Sequence, residues 1–373
     1  MIYLDYNATT PMKPAVRSAL LEAMERCGNA SSVHRFGRIA RRHIDEARAC
    51  VAALAGVKPT QVVFTSGGTE ANHLALHGIA SSQVIFTAIE HDSVLVHGQG
   101  ALKLPVTAEG GVDLSVAESI LKSIPRGALV SVMLVNNETG VIQPVSEVAR
   151  IAKAYGHKIH CDAAQAAGRL PIDFVSLGVD ALSLSAHKIG GPQGVGALIV
   201  GEKLVLRAQQ RGGGQELNRR AGTENTAGLV GFGVAAKLAA DDVRDMLRLA
   251  VWRDRLQQKL CGIAGEDAVV LGAHAARVAT TLCIAMRGVA SETQVAALDL
   301  SGVAVSAGSA CSSGKVKVSH VAQAMGFGSE IAGSVLRISL GWNTQPDEIT
   351  RCIDAWQALY ERVHKTKTKN KAA

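Results

Sequence analysis

Apolar positions along the chain follow two rhythms. Short unbroken runs at residues 61–65 (QVVFT), 84–88, 128–135 (ALVSVMLV), 158–161, 181–185 and 197–200 predict buried strands. A shorter strand at 2–4 leads into a polar segment ending at Pro11. Between the runs, spaced apolar positions predict helices at 14–26 and 142–155, and another after the turn at 66–70. The repeated order of strand, polar loop and helix marks an α/β fold. Such folds build their sites at the ends of parallel strands. A long Ala-rich helix is predicted over 226–260, as a bridge between two domains divided near residue 245. Beyond it, Val/Ile-rich strands at 278–286 and 335–340 alternate with helices, as suits a small α+β domain.

Composition sharpens this picture. With 373 residues, the chain predicts two domains or one large body with an appendage. Apolar residues make up 47% but aromatics only 3%, so small aliphatic side chains fill the core. Disorder, collagen and a pure coiled coil are excluded. The 39 Lys+Arg against 32 Asp+Glu leave a diluted +7 that gives no argument for nucleic acid. Part of that excess lies at 362–371 (RVHKTKTKNK), read as a solvated tail, with a docking arm for an acidic partner as the alternative. Seven scattered cysteines form no CxxC pair, and their odd number fits no disulfide framework. A reduced, cytoplasmic setting is expected, with neither signal peptide nor membrane span.

Chemistry gathers at two strand ends. One carries Asp162 in His160-Cys161-Asp162-Ala163-Ala164-Gln165; the other, 26 residues on, carries Lys188 before Ile189-Gly190-Gly191-Pro192. Lys188 alone fits either a lysine that snorkels to the surface or a desolvated Schiff-base lysine. Asp162 is suited to pair with a pyridine nitrogen and keep it protonated. Gly67, Gly68 and Thr69, opening a helix, offer backbone N–H groups to a phosphate, although a Gly-Gly-Thr turn by itself is common. It is no P-loop, since no GK[ST] follows. The three features together point to pyridoxal phosphate.

With these residues in hand, the chain resembles the cysteine desulfurases of the NifS/IscS class, in the class V aminotransferase group of pyridoxal-phosphate fold type I enzymes. The likeness runs through Leu4-Asp5-Tyr6-Asn7-Ala8-Thr9-Thr10-Pro11, Thr65-Ser66-Gly67-Gly68-Thr69-Glu70, Glu90-His91 and Asn136-Asn137-Glu138-Thr139-Gly140. It continues through Ser185-Ala186-His187-Lys188, Arg220-Ala221-Gly222-Thr223-Glu224-Asn225, Gly308-Ser309-Ala310-Cys311-Ser312-Ser313-Gly314 and Leu336-Arg337-Ile338-Ser339. It implies a large domain, 15–245, with a mostly parallel seven-stranded sheet. Residues 1–14 and 246–373 would form the small α+β domain that carries the cysteine loop.

The resemblance also implies roles. Lys188 carries the cofactor and moves protons at the substrate. His91 stacks on the cofactor ring, Asp162 pairs with its nitrogen, and Gln165 donates to its 3′-oxygen. Gly68, Thr69, Ser185 and His187 hold the phosphate, and Thr223 reaches the phosphate of a neighbouring subunit, so a homodimer is expected. Asn137 and Arg337 hold the substrate carboxylate, a task for which a guanidinium fork is well shaped. Cys311 takes sulfur from L-cysteine as a persulfide, leaving L-alanine. The sulfur then passes to an acceptor or scaffold protein for iron–sulfur cluster assembly or other sulfur transfer. Glu224-Asn225 leans toward the nitrogenase-linked members. The one metal contact implied is a transient one, of Cys311 with a cluster on a scaffold partner. The competing readings are a selenocysteine lyase and another class V aminotransferase or lyase.

Overall fold

The computed structural model describes residues 1–98, 102–308 and 318–371. Its strands are β1 (Ile2–Tyr3), β2 (Val62–Thr65), β3 (Val84–Thr87), β4 (Lys103–Leu104), β5 (Leu129–Met133), β6 (Lys158–Asp162), β7 (Ala181–Ser185) and β8 (Gly196–Val200). They continue with β9 (Ala268–Val270), β10 (Thr281–Met286), β11 (Val303–Ala304), β12 (Ser306–Ala307) and β13 (Val335–Ser339). Seven of them form one sheet in the order β2-β8-β7-β6-β5-β3-β4. Strands β4, β3, β5, β6 and β7 run parallel, and β8 is antiparallel to both β7 and β2. The expected mostly parallel seven-stranded sheet is therefore present.

Strands β5, β7 and β8 are buried at every position because helices cover both faces of the sheet. Alternation sorts the side chains. Val62, Phe64, Val130 and Val132 join Ile44, Leu121, Val148 and Phe232 on one face. Val63, Leu129 and Phe86 meet Leu74 and Ala75 of the helix Gly68–Gly78 on the other. Close approach fixes one glycine. A Cβ on Gly196 would lie 2.6 Å from the Gly67 carbonyl carbon and 2.8 Å from Leu184 O, so β8 can pass beneath the Gly67 turn only without a side chain.

A separate apolar cluster unites Ile2 and Leu4 with Leu256, Ile284, Ile338 and Trp356. It lies around a four-stranded antiparallel sheet, β12-β13-β10-β9, and the parallel pair β1-β11. The bridging helix expected over 226–260 is two helices, Thr226–Arg244 and Met246–Ala264. At the junction the backbone tightens, with Asp245 N donating to Asp242 O at 3.0 Å and Arg248 N to Asp245 O at 3.2 Å. The Asp242 carboxylate is drawn aside to the Lys13 ammonium. Aspartates, weak helix formers, crowd this turn. The segment 362–371 continues the helix Pro346–Lys371, which has no glycine or proline to stop it after its first residue. Among the described residues, no helix is long and apolar enough to cross a membrane.

Three successive non-glycine residues, Glu216, Leu217 and Asn218, sit at φ 49°, 57° and 63°. Such left-handed backbone costs on the order of 1–3 kcal/mol per residue and needs surrounding contacts to hold it. The buried Glu216 carboxylate supplies them. It takes both Arg48 guanidinium nitrogens at 2.6 Å and the backbone N–H of Phe64 at 2.9 Å. This ties the strained turn to β2, the strand that delivers the Gly67 turn.

Candidate active site

The carboxyl ends of the parallel strands open into a cavity of about 340 Å³. From the sequence-predicted set, its lining includes Gly68, Thr69, His91, Asn137, Asp162, Gln165, Ser185, His187, Lys188 and Arg337. Strand β6 ends in Asp162, β7 ends in Ser185, and the following turn carries His187 and Lys188.

A polar chain connects two of these groups. Asn72 Nδ2 donates to Asp162 Oδ2 at 2.7 Å and to Ser93 Oγ at 2.9 Å. Ser93 Oγ lies 2.8 Å from His91 Nδ1, and the Ser93 backbone N–H donates to the same nitrogen at 3.1 Å. His91 Nδ1 is thus the acceptor, which puts the proton of a neutral ring on Nε2. The other Asp162 oxygen accepts from Ala164 N at 2.9 Å.

Lys188 Nζ donates to the carbonyls of Asn7 at 2.5 Å and Ala8 at 2.9 Å, so the N-terminal segment closes the site from above. Gln165 Nε2 donates to the same Asn7 carbonyl at 2.9 Å, while its Oε1 accepts from Arg169. Burial, helped by the neighbouring Lys188 charge, pushes His187 down to about 4 and leaves it neutral. Its Nδ1 lies 3.1 Å from Thr9 Oγ1.

At the opposite wall, Arg337 is 1% exposed. It reaches the cavity from β13, with Nη2 donating to Asp5 Oδ1 at 2.8 Å and Nη1 to Asn137 O at 3.2 Å. Ser306 Oγ donates to the second Asp5 oxygen at 2.7 Å.

Buried titratable groups surround this set. Glu90 accepts on one oxygen from Thr87 Oγ1 at 2.6 Å and Met133 N at 2.8 Å. Burial, with a further push from the Asp162 charge, raises its carboxyl to about 8. His160 lies between Ser131 Oγ at 2.9 Å and Ser183 Oγ at 2.8 Å, and burial lowers it to about 4 against the pull of Asp162. Glu138 is raised by burial, which the nearby His320 opposes, and it accepts from Ser319 Oγ at 2.6 Å.

Two expected residues stand apart. Thr223 is exposed and does not line the cavity. Cys311 lies outside the described residues, between Gly308, whose N–H donates to Val335 O at 3.2 Å, and Ser319, whose N–H donates to Ala332 O at 3.0 Å. Asn7, Ala8, Asn72 and Ser93 line the cavity without having been singled out from the sequence. Asn72 had a signal: it is four residues past Gly68 and so shares its helix face. The contacts of Asn7 and Ala8 with Lys188 span 181 and 180 residues and left no local trace.

The donor set suits pyridoxal phosphate. The first turn of the helix Gly68–Gly78 carries N–H groups with no intrahelical acceptor, beside Thr69, Ser185 and His187, as an anion requires. A Cβ on Gly68 would come within 3.3 Å of Ser185 Cβ and crowd that cradle. Asn72 Oδ1, Asn137 Oδ1 and Arg337 Nε are buried without hydrogen-bond partners on residues that line the cavity. They are polar atoms for a polar ligand to satisfy.

Comparison with known proteins agrees. The model of the family described as aminotransferase class-V matches residues 2–352. The chain belongs to the class-V aminotransferases. Within that family it is 38% identical to an IscS-like cysteine desulfurase of Mycobacterium tuberculosis, over 98% of each chain. It is 40% identical to a cysteine desulfurase of Sinorhizobium fredii, again over 98% of each. The solved structure of a NifS-like protein from Rickettsia africae superposes with a TM-score of 0.90 at 34% identity, covering 97% of this chain and 99% of that one. A second NifS-like protein gives 0.88 at 30%, covering 96% and 99%. The fold is therefore pyridoxal-phosphate fold type I, and class-V membership implies that cofactor.

Proposed function

We propose that this class-V protein is a cysteine desulfurase that takes sulfur from L-cysteine, releases L-alanine and hands the sulfur to an acceptor protein. The convergence of Lys188, Asp162, His91 and Arg337 on one cavity supports this reading most strongly. Names carried by relatives at 38% and 40% identity support the choice of substrate.

Gly68, Thr69, Ser185 and His187 would hold the phosphate of pyridoxal phosphate, Asp162 its ring nitrogen, Gln165 its 3′-oxygen, and Lys188 its carbonyl carbon. When bound, the cofactor supplies an electron sink for negative charge at the substrate Cα. Arg337 and Asn137 bind the substrate carboxylate, and desolvation around the buried guanidinium strengthens that pair. Lys188 removes the proton from Cα, and the Asn7 and Ala8 carbonyls hold its amine in place. His91 moves a proton at the substrate thiol through Nε2. The Cys311 thiolate attacks the substrate sulfur. An S–S bond forms as the Cβ–S bond breaks, the electron pair stays with carbon, and Cβ takes up a proton. Lys188 returns the proton to Cα, L-alanine leaves, and Cys311 carries the persulfide sulfur to the acceptor.

The active form is a homodimer in which the exposed Thr223 reaches the partner's phosphate site. Residues 1–14 and 246–373 form the small domain that brings Arg337 and Cys311 to the large one, 15–245. Iron–sulfur cluster assembly is the destination of the sulfur, with a nitrogenase-linked role suggested by Glu224-Asn225.

Incubation with L-cysteine, followed by amino-acid analysis and peptide mass spectrometry, tests the proposal. The expected products are alanine and a Cys311 peptide heavier by one sulfur. A Cys311→Ser protein that released sulfur at the wild-type rate would overturn it. Turnover of L-selenocysteine without dependence on Cys311, and none of L-cysteine, would establish the lyase reading instead.

A further inference from the structure

The helix Gly68–Gly78 has active-site groups at its N-terminal end and two histidines further along. His73 and His77 are four residues apart and therefore share one face. Their ring centroids lie 4.4 Å apart. His97, just beyond the short helix Asp92–Leu95, completes a triangle, with its ring 5.1 Å from His73 and 4.8 Å from His77. One ligand nitrogen from each of the three lies within 4.8 Å of the others.

We infer that His73, His77 and His97 form a binding site for a divalent transition metal of the zinc class. Neither the cavity nor the proposed reaction uses these residues. At nitrogen–metal distances near 2.05 Å, two ligands of a tetrahedral site stand about 3.3 Å apart. His77 Nε2 and His97 Nδ1 already stand 3.1 Å apart. His73 and His97 are half-buried and His77 is exposed, so His77 can turn to admit an ion, and water can fill the fourth position. Three imidazoles with no carboxylate among them favour zinc, nickel or copper over magnesium or calcium. His77 sits in the last turn of an 11-residue helix, where the helix dipole favours positive charge.

A metal here would join the C-terminal end of one helix to the segment after another. The first helix starts with Gly68, Thr69 and Asn72, and the second is preceded by His91 and contains Ser93. The site is thus a clamp on the two elements that carry the Asp162–Asn72–Ser93–His91 chain. His77 and His97 lie at or beyond their far ends, so substitutions there separate its test from that of the proposed reaction.

Chelator-treated holoenzyme titrated with Co²⁺ and then Zn²⁺ decides the matter. Expected are one Co²⁺ per chain at this site, visible d–d absorption with no thiolate-to-cobalt charge-transfer band, and displacement by Zn²⁺. His77→Ala, at an exposed position, should keep the holoenzyme spectrum and weaken Zn²⁺ binding by at least about 10-fold. His97→Ala should do the same. Wild-type affinity in both variants, a thiolate-type cobalt spectrum, or no binding by the wild type would overturn the inference.

Discussion

Glu90 offers a sharp test of how the site manages its charge. Its carboxyl is fully buried beside the site, and only one of its two oxygens has partners. A rise from the ordinary 4.5 to about 8 corresponds to ~5 kcal/mol at 1.36 kcal/mol per unit. The sign follows from proton counting. Between pH 4.5 and about 8 the folded protein holds a proton on Glu90 that the unfolded chain has lost. Stability from this group is therefore fully present below pH 4.5 and drains away as pH rises to about 8. Neutral Glu90 leaves Asp162 as the carboxylate charge facing the cavity.

Glu90→Gln removes the titration. Its carbonyl oxygen can keep the Thr87 and Met133 donors, while its amide group meets the unpartnered side at a pH-independent cost of about 1–3 kcal/mol. The variant should be the less stable protein at pH 5. By pH 8 the wild-type-minus-variant difference should have moved ~4 kcal/mol in the variant's favour. At about 2 °C per kcal/mol this is ~8 °C in thermal midpoint. Thermal unfolding of both proteins in matched buffers across this range reads the difference directly, and cofactor effects common to both cancel. A difference that stays constant to within ~1 kcal/mol would refute the reasoning, because Glu90 would then be titrating as an ordinary carboxylate.

Two further outcomes follow from contacts already described. Gly196→Ala would press a methyl group onto the Gly67 backbone at 2.6 Å, cost about 1–3 kcal/mol, and shift the phosphate turn. Dialysis should then strip the visible chromophore from the variant faster than from the wild type. Arg337→Lys keeps the charge but loses the fork, so KM for L-cysteine should rise ~10-fold or more, with a smaller fall in kcat. A kcat loss at unchanged KM would move Arg337 out of carboxylate binding.

Much of this was legible in the chain itself. Strand β7 was delimited to the residue because its apolar run is bounded by Asp180 on one side and the Ala186–Ile189 turn on the other. Asp162 and Lys188 stood out because charge at the end of an apolar strand needs a reason. A domain division was expected near residue 245, but the break of the helix at Asp245 was hidden because the apolar pattern continues through it; aspartates crowd that turn, one of them drawn away to Lys13. The Asn7 and Ala8 carbonyls on Lys188 were hidden because backbone groups carry no sequence signature. The protonation of Glu90 and the neutrality of His160 depend on burial from several strands at once, which no local window contains.

The central claim is that Lys188, over Asp162, carries pyridoxal phosphate. Borohydride reduction of the purified protein, followed by peptide mapping, tests it most directly. One reduced pyridoxyl group per chain should be found on the Lys188 peptide, and Lys188→Ala should yield none. A label on another lysine, or an unlabelled protein that still releases alanine from L-cysteine, would contradict it.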